Sequence, residues 1–101
     1  MEFNYFIGTD VSKKTLDFSV RSNEVYFFHC RVENNKTGIA QFVAMCKKHK
    51  VDLKSTLLCL EHTGIYSTPA LNRFYQLGCQ VWLENAIQIK RSLGLTRGKN
   101  D

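Results

Sequence analysis

A chain of 101 residues holds one domain with one modest hydrophobic core, and a second independent core would not fit. Hydrophobic residues at 44% and charged residues at 23% exclude a disordered or collagen-like chain. Lys and Arg number 14 against 9 Asp and Glu, and the resulting formal charge of +5 biases the surface toward polyanions.

The first element spans Glu2 to Thr9, rich in aromatic and β-branched residues, and runs into Gly8-Thr9-Asp10 as a buried strand meeting a turn. Ser12-Lys13-Lys14 is a polar connection. After it Leu16, Phe18 and Val20 alternate with Asp17, Ser19 and Arg21, the period of a half-buried second strand. On that alternation Asp17 points outward as a solvated edge residue. Arg21-Ser22-Asn23-Glu24 reads as a hairpin turn and Val25 to Val32 as a third strand, completing an antiparallel meander.

Asn34-Asn35-Lys36-Thr37 offers a helix cap, and Ile39, Phe42, Val43 and Cys46 recur at helical spacing up to the basic run Lys47-Lys48-His49-Lys50. Positive charge suits the carboxyl end of a helix. Leu57-Leu58-Cys59-Leu60 is a short unbroken apolar run ending in Glu61, the pattern of a parallel strand covered on both faces. Thr63-Gly64 turns the chain. Pro69 fits only a first helical turn, and Leu71, Phe74 and Leu77 carry a second helix to the stop at Gly78. Cys79 to Leu83 forms a fifth strand, and Ala86 to Leu93 a short helix.

Three strands, helix, strand, helix, strand, helix is the order of an α/β layer with a mixed sheet. The fourth strand, set parallel beside the first on the side away from the hairpin, gives the strand order 3-2-1-4-5. The connections reverse direction at that pair, and ligands favour the carboxyl ends of strands at such a switch point. Asp10 and Glu61 both fall there. Ends of neighbouring strands lie about 4.8 Å apart, and two carboxylates that close repel unless one is protonated or a cation separates them. An oxygen-only donor set selects a hard cation, Mg²⁺ or Mn²⁺, and such ions in pairs stabilise the attacking and leaving oxygens of phosphoryl transfer. The plainer alternative is that Asp10 caps a turn and Glu61 the following helix.

Lys90, Arg91, Arg97 and Lys99 crowd the last stretch and are the candidate phosphate contacts. Cys30, Cys46, Cys59 and Cys79 form no C-x-x-C pair and are expected as buried reduced thiols, so zinc and redox motifs are absent. No basic segment followed by an apolar one opens the chain and no apolar run spans a bilayer, so a reducing cytoplasm and no membrane contact are expected. His62 reads as a surface residue, and neither His29 nor His49 has a partner in sequence that suggests a triad. Trp82 and the phenylalanines fit core packing better than a base-stacking platform.

Gly8-Thr9-Asp10-Val11-Ser12-Lys13, then Glu61-His62-Thr63-Gly64-Ile65-Tyr66, then Asn85 with Lys90, and last Arg97-Gly98-Lys99-Asn100-Asp101 resemble, in order and spacing, the amino-terminal domain of the DEDD transposases of insertion sequence family 110, relatives of the pilin gene inverting recombinase. The resemblance runs through the whole chain, and its most specific part is Glu-x-Thr-Gly-x-Tyr. It implies a RuvC-like RNase H fold in which four acids hold divalent metal, Mg²⁺ or Mn²⁺, for DNA strand cleavage and exchange. Carried over by position, Asp10 is the first acid, Glu61 the second and Asp101 the third, with a fourth just beyond the chain. On the same footing residues 1–101 are a truncated catalytic domain, inactive or nearly so alone. For the full-length protein the resemblance further implies a carboxyl-terminal domain with a serine nucleophile, homo-oligomerisation and, as in some members of the family, an element-encoded guide RNA. The chain departs from the family in having Asn85-Ala86 where Asn-Pro is frequent and Lys99-Asn100-Asp101 where Lys-Thr-Asp is usual, and neither change removes a carboxylate.

Two other readings compete with a metal-dependent DNA recombinase. One is an actin-like or sugar-kinase ATPase lobe, against which Val11-Ser12-Lys13-Lys14 lacks a glycine-rich phosphate loop. The other is a non-catalytic DNA-docking module of the same fold whose acids are incidental.

Overall fold

A computed structural model describes residues 3–22, 27–61 and 64–84, with the backbone alone at 27, 61 and 84. Its elements are β1 (Tyr5–Val11), β2 (Thr15–Ser22), β3 (Phe27–Glu33), α1 (Lys36–Lys48), β4 (Thr56–Glu61), α2 (Thr68–Gln76) and β5 (Gln80–Glu84), with single 3-10 turns at Leu53–Ser55 and Gly64–Tyr66. The sheet order is β3-β2-β1-β4-β5. The first three strands are antiparallel, and β4 and β5 continue the sheet in parallel with β1. This is the mixed five-stranded α/β sheet expected from the pattern of the chain.

Alternation along each strand splits the sheet into two faces. Ile7, Leu16, Phe18, Val20, Val32, Leu58 and Leu60 are buried in one core with Ile39, Phe42 and Cys46 of α1 and Ala70 and Phe74 of α2. Phe18 stacks on Phe42 with ring centroids 3.7 Å apart, and Phe74 closes the group at 5.9 Å from each. Both helices therefore cover the same face, as two right-handed crossovers in one direction require. The other face carries Gly8, Asp10, Asp17, Ser19, His29, Arg31 and Trp82, positions that the register sets side by side.

The helix ends explain their own boundaries. Asn35 begins α1, its side-chain oxygen accepting the Gly38 N–H at 2.7 Å. Gly38 packs so closely on the end of β3 that a Cβ there would lie 1.9 Å from the carbonyl oxygen of Glu33. At the other end the Val51 N–H reaches Cys46 O at 2.8 Å while Lys50 adopts a left-handed φ of 62°. The same closure ends α2, with the Cys79 N–H on Phe74 O at 3.1 Å and Gly78 at φ 84°. Among the described residues no helix is long and apolar enough to cross a membrane.

Four expectations change. The first strand starts at Tyr5 and continues through Val11, because Asp10 and Val11 still pair with Asp17 and Leu16 of β2. Asp10 thus belongs to a strand, and the turn is closed by Ser12, whose Oγ accepts the Thr15 N–H at 2.9 Å. Asp17 is no edge residue, since β2 is flanked by β1 and β3. Trp82 is 38% exposed, because its position belongs to the face away from α1 and α2. Arg21 and Ser22, expected to open the hairpin turn, still pair with Phe6 and Tyr5 and so belong to β2. Asn23 and Glu24 of that turn, Val25 and Tyr26 of the third strand, and the helix expected over Ala86 to Leu93 lie outside the described residues.

Candidate metal centre

The register draws one line of charged positions across the sheet. Arg31 of β3 lies opposite Asp17 of β2, and Asp17 opposite Asp10 of β1. The parallel pairing of β1 with β4 matches Thr9 with Leu60, so the next step sets Asp10 beside Glu61. Glu61 in turn is matched with Glu84 of β5. Thr9 and Leu60 are buried toward the helices, which puts positions 10 and 61 on the opposite face. Adjacent strands are about 4.8 Å apart, which is the spacing between neighbouring backbone positions in this line.

The acids of the line differ in how their charge is met. Asp17 is compensated within the protein: Arg31 donates from Nε and Nη2 to its Oδ2 at 3.0 and 2.8 Å, and the imidazole Nε2 of His29 meets its Oδ1. That side chain is only 18% exposed. Asp10 is exposed and forms no ion pair among the described residues. Two carboxylate positions side by side, one of them without a counter-ion in the described structure, are the donor set that a hard dication accepts. Among the described residues no group of three or more His, Cys, Asp or Glu is placed to hold a metal ion, so the sheet supplies a pair of strand-end positions rather than a finished cage.

The ends of β1 and β4 are tied together by Asn34. Its Nδ2 donates to the carbonyl oxygens of Ser12 and Tyr66, each at 2.8 Å, and its backbone N–H donates to Lys14 O at 2.8 Å. One side chain therefore bridges the β1–β2 turn and the turn after β4, from the junction of β3 with α1. Past Glu61, Gly64 takes a φ of 62°, and the Ser67 hydroxyl donates back to Gly64 O at 3.0 Å. The chain so folded leaves Ile65 77% exposed at the same end of the sheet.

Of the residues singled out from sequence, Asp10 and Glu61 each follow directly on the last residues paired between β1 and β4, Thr9 and Leu60. Asp101, Lys90, Arg91, Arg97 and Lys99, with His62, lie outside the described residues. Sequence reasoning missed Glu84 and Asn34. Glu84 ends a strand as Glu61 does, and that shared placement was the available signal.

The model of the DEDD transposase family of IS110 type, described as a transposase, matches residues 7–101. The chain belongs to this family. No curated protein matches this IS110-family transposase chain. Among solved structures it is similar to a Bacteroides thetaiotaomicron protein with an actin-like ATPase fold and unknown function, at 16% identity and a TM-score of 0.66. The similarity covers 92% of the transposase chain and 38% of that protein, and at this identity it speaks to the fold alone.

Proposed function

We propose that the chain is an RNase H-like catalytic domain, residues 1–101, of a DNA transposase that cleaves and exchanges strands with a divalent cation held by Asp10, Glu61 and Asp101. The observation that supports this reading is the parallel register of β1 with β4, which runs to Thr9 beside Leu60, so that Asp10 and Glu61 are the next positions along the two strands. When bound, Mg²⁺ or Mn²⁺ supplies charge neutralisation at the scissile phosphate. The chain's own contribution is placement. Asp10 and Glu61 stand on hydrogen-bonded strands rather than on loops, and Asn34 holds the two strand ends in step. Arg31 meets the charge of Asp17, which lessens the repulsion that a third carboxylate beside Asp10 would add.

On the same reading Lys90, Arg91, Arg97 and Lys99 hold the DNA backbone, and the protein works in the cytoplasm. A further domain with a serine nucleophile, self-association and a guide RNA are proposed for the longer protein by family resemblance. Titration of Mn²⁺ followed by electron paramagnetic resonance tests the centre. Wild type should bind the ion, and Asp10→Asn and Glu61→Gln should each weaken binding at least tenfold. Equal binding by all three proteins would remove Asp10 and Glu61 from the site.

The likeness to an actin-like ATPase fold favours a nucleotide site as the second reading. Against it, the β1–β2 turn has no glycine and its Ser12 hydroxyl is engaged with Thr15. Thermal stabilisation by ATP with Mg²⁺, and none by DNA, would favour that reading over the first.

A further inference from the structure

Between α1 and α2 runs an open groove of about 670 Å³. Ile39, Ala40 and Pro69 give it an apolar floor, while Lys36, Arg73 and Asn72 stand along it. No carboxylate lines the groove, and among the described residues neither Lys36 nor Arg73 forms an ion pair. Two unneutralised cations over one concave surface mark it for an anion.

Its position says which anion. α1 leaves the end of β3 and α2 follows the end of β4, so both helices start at the end of the sheet where Asp10 and Glu61 stand. Neither helix has an acidic residue in its first turn, and the carboxylate beside the start of α1 is that of Glu33, whose Oε1 accepts from Asn35 Nδ2 at 3.2 Å. We propose that this groove is a second DNA contact, in which Lys36 and Arg73 each take a phosphate of one duplex backbone and Asn72 donates between them. Lys36 opens α1 at the end of the sheet that carries Asp10 and Glu61, and Arg73, in the last turn of α2, extends the contact along the helix face away from that end. This inference rests on the DNA reading above and adds to it a surface distinct from Lys90, Arg91, Arg97 and Lys99.

The test is fluorescence anisotropy of a labelled DNA duplex, titrated with the 101-residue chain over a series of NaCl concentrations. Each backbone contact contributes about 0.9 to the slope of log K against log salt. The double variant Lys36→Gln, Arg73→Gln should lower that slope by about 1.8, with affinity falling about tenfold or more at low salt. Lys47→Gln, Lys48→Gln removes the same charge from the far end of α1 and should leave the slope close to wild type. A groove that seats an acidic protein segment or a second copy of the chain would leave the DNA slope unchanged in the first double variant, and the proposal would be overturned. Equal losses in both double variants would overturn it too, since only net charge would then matter. Absence of wild-type binding at every salt concentration would bring down the DNA reading itself, an outcome distinct from either of these.

Discussion

Asn34 stands where three connections meet, and its removal separates them. Its side chain makes two hydrogen bonds to main-chain oxygens, and each such bond has a net worth of about 0.5–1.5 kcal/mol. Asn34→Ala should therefore lower stability by about 1–3 kcal/mol in urea denaturation, and Asn34→Asp by more, because a carboxylate would face two carbonyl oxygens. An unchanged midpoint for both variants would show that the turns hold without it. Little of this is legible in the sequence. Asn34-Asn35 reads as a helix cap and Asn35 does cap α1, but the partners of Asn34 lie 22 and 32 residues away, beyond any local pattern. Asp17 fails in the same way. Alternation told which face it takes, whereas its counter-ion Arg31 and its neighbour His29 come from the next strand, through a register that local pattern leaves open.

At the scale of elements, the junction of β3 with α1 is governed by Gly38. A glycine inside a helix usually costs about 0.5–1 kcal/mol relative to alanine, so Gly→Ala at an ordinary helical site stabilises. Here the added Cβ would fall 1.9 Å from Glu33 O, and the neighbour is backbone. Gly38→Ala should therefore destabilise, by about 1–3 kcal/mol in thermal unfolding, as overpacking does. A rise in Tm would mean that the helix sits farther from β3 than described. Among the described residues the five strands and the two helices α1 and α2 were legible, because period two and period 3.6 are strong along this chain, and Gly78 and the basic run mark the helix ends. Less legible was the extent of β1, since whether Asp10 lies in a strand or a turn depends on pairing with β2 rather than on its own neighbours. Trp82 shows a related limit: alternation defines two faces, and only the docking of α1 and α2 decides which of them is covered.

Over the molecule as a whole, the thiols fit a domain held by packing. All four cysteines are free. Burial pushes the thiols of Cys46 and Cys79 up to about 12, and burial with the nearby Asp17 raises that of Cys30. Cys46 and Cys79 ionise more readily when the chain unfolds, with an ordinary value of 9.0. Their contribution to stability is therefore fully present below about pH 9 and is lost progressively as pH rises toward 12. Urea midpoints should be insensitive to these groups at neutral pH and fall across that alkaline window, less steeply in Cys46→Ala and Cys79→Ala. A wild-type slope retained in both variants would assign the alkaline loss to other groups.

A crystal of the chain grown with MnCl₂ and measured at the manganese absorption edge tests the proposed centre most directly. An anomalous peak is expected between β1 and β4, with carboxylate oxygens of both Asp10 and Glu61 at about 2.1 Å. A peak elsewhere, or carboxyl groups at positions 10 and 61 turned to separate surfaces with no ion between them, would contradict it.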